Sequence, residues 1–594
     1  MLLKTMFETA ANRNQLWARL LVSELVRAGV CGFVLSPGAR SAPLTLAVAE
    51  HPGAAHTMHY DERGAAFHAL GWARATGRPA VLVCTSGSAA ANYMPAVVEA
   101  AQSHTPLVAL TADRPPELIA CGANQAIDQT KLFGDYARWF FELPCPTLEI
   151  APAFVLTTAD QAVRRSLAPP AGPVHLNCHF REPLAPTPEP HDFKDYLAPL
   201  ATWMAQNTPF TQWHTARRVP GGPVTLPALP GERAGAMRGI VVIGRLTHET
   251  DRAAVAHFVQ RLGWPVFPDI ASGLRFQAGA PFVSHYDQLL LSSRFCAHCR
   301  PDCVLHIGGA VTSKRLVQHL AALRMPFVHV AEHPLRHDPQ HQVTHRIEAD
   351  IAAWCEAAGD AAWPAPADAP WCGPIHTANA AAAQCIARQT PQTACNEIAV
   401  ARAVCARAPA ASLLFLGNSM PVRDADMYAA PREDPPRIAV SRGASGIDGN
   451  IATAAGYARG TGAPVTALLG DLAALHDLNS LALLRGLDTP FVLVVINNDG
   501  GGIFHFLPVA EAHALFDPYF GTPHGMDFAH ATEQFGLGYA RPASMPDFTA
   551  AYDAALTAGA PVLIEVTTNR AANSVLHRHV QARVAAAAGD TFEA

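Results

Sequence analysis

The chain has 594 residues, of which 50% are hydrophobic and only 15% charged, with a formal net charge of -6. That length exceeds what a single hydrophobic core serves and predicts three or four domains, while the composition is globular rather than disordered. No concentrated basic footprint marks it for nucleic acid or an anionic membrane.

Residues 1–16 carry Lys4 but no sustained apolar stretch, so neither a signal peptide nor a membrane span is expected there. Later apolar runs, such as 491–496, have strand length and fall far short of the roughly 20 residues of a spanning helix. Short apolar runs at 80–84, 107–110, 240–243, 304–307, 413–416 and 492–496 end in glycine or small polar residues, and helical patterns follow them. This alternation predicts an α/β protein of parallel sheets flanked by helices, with ligands gathered at the carboxyl ends of the strands. The rhythm breaks at 186–235, which contains PLAPTPEP and LPALPGERAG, and at 358–392, which contains DAAWPAPADAPWCGP. Both read as linkers or wrapping segments, leaving domains at 1–185, 236–357 and 393–585. The thirteen scattered cysteines are expected to be reduced thiols of a cytoplasmic protein. Cys296, Cys299 and Cys303 with His298 approach zinc-ligand spacing, but a second ligand pair is missing nearby, so ordinary helix and strand positions are the better reading.

The first and third domains are expected to be duplicates. GWARATGRP at 71–79 and GYARGTGAP at 456–464 are offset by 385 residues, agree at six of nine positions, and each joins a helix to a strand. The same offset aligns Glu62 with Ile447 and Ser86 with Asp471, so the copies have specialised.

After the strand at 464–469 come Gly470, Asp471 and Leu472, and Asn498 lies 27 residues beyond Asp471. A hard cation bridging two phosphates takes oxygen ligands, and Asp471, Asn498 and the Gly500 carbonyl supply a carboxylate, an amide and a backbone oxygen. The helix beginning near Ala473 would aim free N–H groups at a diphosphate, and the glycines at 500–502 let the backbone approach closely. This arrangement resembles the fingerprint of enzymes that hold thiamine diphosphate through Mg2+ (or Mn2+).

That resemblance assigns Glu62 of the DERG segment the carboxyl that shares a proton with the aminopyrimidine ring and so promotes loss of the thiazolium proton. Without the motif of the third domain, Glu62 would read as a helix N-terminal glutamate favoured by the macrodipole. The resemblance also implies cofactor contacts from Ser86, Gly87, Asn418, Ser419, Ile447, Gly470, Asp471, Leu472, Ala473 and Asn498, with Ile447 propping the cofactor in a bent form. It further implies a homodimer or dimer of dimers, with active sites across the interface.

More specific stretches narrow the resemblance. SPGARS at 36–41, TSGS at 85–88, TADRPPEL at 111–118, CGANQ at 121–125, TSKR at 312–315, GNS at 417–419 and SRGASGIDG at 441–449 are similar to the 2-succinyl-5-enolpyruvyl-6-hydroxy-3-cyclohexene-1-carboxylate (SEPHCHC) synthase family of menaquinone biosynthesis. The family reaction decarboxylates 2-oxoglutarate and adds the resulting carbon nucleophile to isochorismate. Arg40, Lys314, Arg315, Arg423 and Arg442 match basic or substrate-contacting positions, and arginine grips a carboxylate with two parallel bonds. Gln125, Ser419 and Phe504 match wall positions. Ala39 stands where the family often has serine, and Asp499 and His505 lie in a loop where other residues are common. Another thiamine-diphosphate-dependent 2-oxo acid decarboxylase or carboligase would share the fold and cofactor motif but leave ADRPPEL unexplained. A nicotinamide-linked dehydrogenase would need a glycine-rich turn after the run at 240–243, which is absent. A non-catalytic, decayed scaffold would be expected to have lost Glu62 or Asp471 first.

Overall fold

A computed structural model describes residues 2–214, 236–359, 363, 365–366 and 369–592. It contains three parallel sheets flanked by helices, as the alternating pattern predicts. The first sheet comprises β1 (Gly32–Leu35), β2 (His56–Met58), β3 (Ala80–Cys84), β4 (Leu107–Asp113), β5 (Phe140–Leu143) and β6 (Pro173–His179), in the order β2-β1-β3-β4-β6-β5. A short pair joins β7 (Ala236–Met237) to β13 (Ala365–Pro366). Between them in sequence lie β8 (Gly239–Ile243), β9 (Val266–Pro268), β10 (Cys303–Ile307), β11 (Phe327–Ala331) and β12 (His345–Glu348), ordered β12-β11-β10-β8-β9. The last sheet has β14 (Leu413–Leu416), β15 (Arg437–Val440), β16 (Val465–Gly470), β17 (Phe491–Asn497), β18 (Gly538–Ala540) and β19 (Val562–Thr567), ordered β15-β14-β16-β17-β19-β18. Rank for rank, this is the strand order of the first sheet. The central strands β3, β4 and β17 are buried along their whole length, as continuous apolar runs covered on both faces must be.

The chain forms two compact units. The first contains Met1–Thr215, Ser441–Gly462 and His476–Asp488; the second contains Ala216–Val440, Ala463–Leu475 and Thr489–Ala594. The 393–585 region is therefore divided, because its helix Asn450–Thr461 packs on the helix Glu62–Thr76 of the first unit. These are the repeat-equivalent helices, and they cross at their repeat-equivalent glycines. A Cβ at Gly71 would stand 2.0 Å from the carbonyl oxygen of Thr453, and a Cβ at Gly456 would stand 2.0 Å from that of His68. His68 and Thr453 are themselves 385 residues apart, so the crossing has local pseudo-twofold symmetry.

Of the expected linkers, LPALPGERAG lies outside the described residues, as does part of DAAWPAPADAPWCGP. The described part of the first wraps the first unit and buries Phe193, Leu197, Leu200 and Trp203 in its core. The indole N–H of Trp203 donates to Glu24 Oε2 at 2.6 Å, and the Phe210 N–H donates to Glu24 Oε1. Burial and the adjacent Asp160 push the Glu24 carboxyl up to about 8, against the opposing pull of its N–H donors. The second expected linker holds a 21-residue helix, Ala369–Gln389, whose Ile375, Ala378, Ala382 and Ile386 enter an apolar cluster with Val580 and Val584 of the helix Arg570–Asp590. All thirteen cysteines are free; Cys299 and Cys303 are packed in apolar clusters, and Cys296 Sγ donates to the Leu290 carbonyl.

Gly71→Ala and Gly456→Ala each force backbone apart and should cost about 1–3 kcal/mol. Gly486→Ala, with open space around its Cβ, should leave thermal unfolding unchanged. Because the Glu24 pKa is raised on folding, its stabilising contribution is complete below the ordinary carboxylate range and is lost as pH rises through about 8. Amide exchange protection at residues 203–211 should accordingly fall between about pH 5 and about pH 8, and Glu24→Gln should flatten that dependence.

Candidate active site

In the second unit, β14, β16 and β17 are adjacent and parallel, so their carboxyl ends bring three predicted segments side by side. Asp471, 2% exposed, follows β16. Its Oδ1 accepts the N–H of Leu472 at 2.6 Å, and its Oδ2 accepts the N–H groups of Asn498 at 3.0 Å and Gly500 at 2.9 Å. The Asn498 amide nitrogen donates to Glu397 Oε1 at 2.8 Å, which turns Oδ1 inward, where that buried atom has no hydrogen-bond partner. A buried carbonyl oxygen left unpaired is costly, and its chemistry is that of a ligand for a hard cation. The backbone here requires glycine. Gly500 has φ +131°, and a Cβ on it would lie 1.9 Å from the Gly521 carbonyl oxygen. Arg570 holds the carbonyls of Asn498 and Asp499, while Asp499 Oδ1 accepts from the N–H groups of His524 and Gly525.

Asn418 and Ser419 stand at the end of β14. Asn418 is buried, Ser419 has φ +73°, and Arg423 donates to the Ser419 carbonyl. Gly470, Leu472 and Ala473 surround Asp471 in sequence, Ala473 buried at the start of the helix Asp471–His476. Phe504 is half-buried, its ring 5.7 Å from that of Phe520. The middle sheet carries the other two basic positions: Lys314 is exposed at the start of the helix Lys314–Ala321, and Arg315 is engaged by Asp287 at 2.6 Å.

The remaining predicted residues lie in the first unit. Asp61 caps the helix Glu62–Thr76 by accepting the N–H groups of Arg63 and Gly64, leaving Glu62 half-buried in its first turn. Ser86 and Gln125 are joined reciprocally: Ser86 Oγ donates to the Gln125 carbonyl and Gln125 Nε2 donates to that of Ser86, both at 3.0 Å. Gly87, with φ +88°, donates its N–H to Gln129 Oε1. Arg40 is 6% exposed; it donates to the Phe180 carbonyl at 2.8 Å and meets Glu182 at 3.3 Å, but its buried Nε has no partner. Burial lowers its pKa, and nearby Arg114 adds to that effect. Arg442 and Ile447 are half-buried in the 441–449 loop. The Ile447 carbonyl accepts from Asn450 Nδ2 at 2.6 Å.

Three supporting residues carry no motif in the sequence. Glu397 orients Asn498 from 101 residues away and also accepts from Thr568; burial raises its carboxyl to about 7, with Asp471 adding to the shift. Glu99, 3% exposed, anchors the 441–449 loop by accepting the N–H groups of Gly443 and Ala444. Burial would raise its pKa, but Arg74 and those amides hold it below the ordinary value. His524 Nε2 lies 3.2 Å from Asp471 Oδ2. Only the completed chain path brings such residues together.

Family comparisons agree with this geometry. The thiamine pyrophosphate enzyme N-terminal TPP binding domain matches residues 17–132, the middle domain of thiamine pyrophosphate enzymes matches 194–416, and the C-terminal TPP binding domain matches 423–566. Fold and site thus define a thiamine-diphosphate-dependent enzyme. Among curated relatives, a 2-succinyl-5-enolpyruvyl-6-hydroxy-3-cyclohexene-1-carboxylate synthase of Rubrobacter xylanophilus is 50% identical over 96% of this chain and 98% of its own length. Synthases of the same name from Chlorobaculum tepidum and Salinibacter ruber are each 44% identical, over 96% and 97% of this chain and 97% of their own lengths. The chain belongs to the SEPHCHC synthase family.

The role of Glu397 can be separated from that of Asp471. Glu397→Ala frees the Asn498 amide and should raise the Mg2+ concentration needed for half-maximal thiamine diphosphate binding by about 10–100-fold. Glu397→Gln keeps an acceptor and should stay within a few-fold of wild type in the same fluorescence titration.

Proposed function

We propose that this enzyme converts 2-oxoglutarate and isochorismate to 2-succinyl-5-enolpyruvyl-6-hydroxy-3-cyclohexene-1-carboxylate with release of carbon dioxide, as a cytoplasmic step of menaquinone biosynthesis. Asp471, Asn498 and the Gly500 carbonyl hold Mg2+ or Mn2+, and through it the diphosphate. The unpartnered Asn498 Oδ1 supports this assignment. Bound thiamine diphosphate supplies the electron sink for decarboxylation of a 2-oxo acid.

The chain's own residues then bind, orient and move protons. Glu62 shares a proton with the pyrimidine ring. Ser86, Gly87, Asn418, Ser419, Gly470, Leu472 and Ala473 line the cofactor, with Ile447 supporting its bent form. Arg40 carries the substrate reading. Its buried guanidinium meets Glu182 at 3.3 Å, but its Nε is unpartnered and a second cation, Arg114, lies nearby, so a further anion would stabilise it. A substrate carboxylate meets that need through charge-assisted hydrogen bonds. Arg423, Arg442 and Lys314 supply further positive charge for two dianionic substrates, with Arg315 contributing through its pair with Asp287, and Gln125, Ser419 and Phe504 shape the walls. Holding both substrates in register lowers the entropic barrier to carbon–carbon bond formation. The assembly is a homodimer or dimer of dimers in which different subunits supply Glu62 and the Asp471 set.

Carbon dioxide release from 2-oxoglutarate, with thiamine diphosphate and Mg2+, should require isochorismate. Glu62→Gln should lower it by about 10²–10⁴-fold without abolishing cofactor binding. Isochorismate-independent turnover of pyruvate would instead discard the substrate assignment while keeping the cofactor.

A further inference from the structure

The carboxyl end of the middle sheet carries a cluster that takes no part in the chemistry above. His248 precedes the helix Glu249–Leu262 in the connection after β8, Asp251 lies in that helix's first turn, and Glu332 directly follows β11. One ligand atom from each, an imidazole nitrogen or a carboxylate oxygen, lies within 4.8 Å of the other two. Asp251 is 2% exposed, yet its Oδ2 has no hydrogen-bond partner. Asp251 and Glu332 are close enough to repel one another when both are ionised, and burial together with that neighbour raises the Glu332 pKa to about 7.

We infer that His248, Asp251 and Glu332 form a second cation site, which takes a divalent ion of the zinc class through one imidazole and two carboxylates. Such ions hold nitrogen and oxygen ligands at about 2.0–2.2 Å, which sets ligand atoms about 3–4 Å apart. The three ligand atoms already lie within 4.8 Å of one another, so reaching that range needs only small side-chain turns, and His248 is exposed. Two carboxylates balance the ion's charge, and the imidazole favours zinc over magnesium. The bound ion ties the start of the Glu249–Leu262 helix to the end of β11, bridging across β10 at the carboxyl end of the middle sheet.

The test uses the full chain saturated with thiamine diphosphate and Mg2+, dialysed against low Zn2+ and analysed for bound zinc. Wild type should take up one additional zinc per chain, and its unfolding temperature should rise with zinc. Glu332→Gln and His248→Ala should each weaken uptake by at least about tenfold and remove the zinc-dependent rise. In metal-free protein, Glu332→Gln should be as stable as wild type or more so, because the neutral amide relieves repulsion from Asp251. His248→Ala, at an exposed position, keeps the test valid if the buried-site variant folds poorly. No zinc uptake by wild type, or equal uptake by both variants, would overturn the site; the latter would place the zinc on other histidines.

Discussion

Two helices can approach until backbone meets backbone only where neither carries a Cβ at the crossing. Gly71 and Gly456 meet that condition on the repeat-equivalent helices of the first unit, and much else there follows from it. Glu62 opens one helix nine residues before its glycine, and Ile447 precedes the other by the same interval. The crossing thus fixes both positions in related places, and the two copies have filled them with different chemistry, a carboxyl group in one and an apolar side chain in the other. Gly449 extends the constraint, since a Cβ there would strike the Phe67 ring at 1.9 Å.

Within each unit, the functional loops are held by buried polar groups. Glu99 gathers two backbone N–H groups of the 441–449 loop, Asp471 gathers two from the Asn498–Gly500 turn, and Glu397 turns the Asn498 amide. Burying a carboxylate is costly unless it is paired or hydrogen-bonded. Glu99 and Asp471 meet that cost by ordering irregular backbone at strand ends, where a parallel sheet offers no ladder of its own, and Glu397 meets it by holding the Asn498 and Thr568 side chains. Rigid loops at those positions let binding act on orientation rather than on ordering the protein.

The duplication also explains why the first compact unit takes in residues from late in the chain. A helix that carries the glycine face of one copy packs on its counterpart in the other, so 441–462 leaves its own sheet for the first unit. Apolar periodicity identifies the helix but not its partner. The same limit applies to the expected linkers. Proline-rich composition marks 186–235 and 358–392 as breaks, yet Trp203 is docked through Glu24 and Ala369–Gln389 is helical, because long-range packing overrides local propensity.

The sequence by itself determined the α/β class, the duplication, the cofactor motif and the family, because these rest on periodicity, spacing and local segments. Asp471, Asn498 and Gly500 could be read from 30 consecutive residues, and their strand ends followed from apolar runs. Tertiary structure alone decided that Glu397 orients Asn498, that Glu99 anchors the 441–449 loop, and that Arg40 is buried with an unpartnered Nε. It also decided that Arg315 is occupied by Asp287 and that His248 and Asp251 meet Glu332. Each of these joins residues separated by tens to hundreds of positions, and only the folded path of the chain sets such distances.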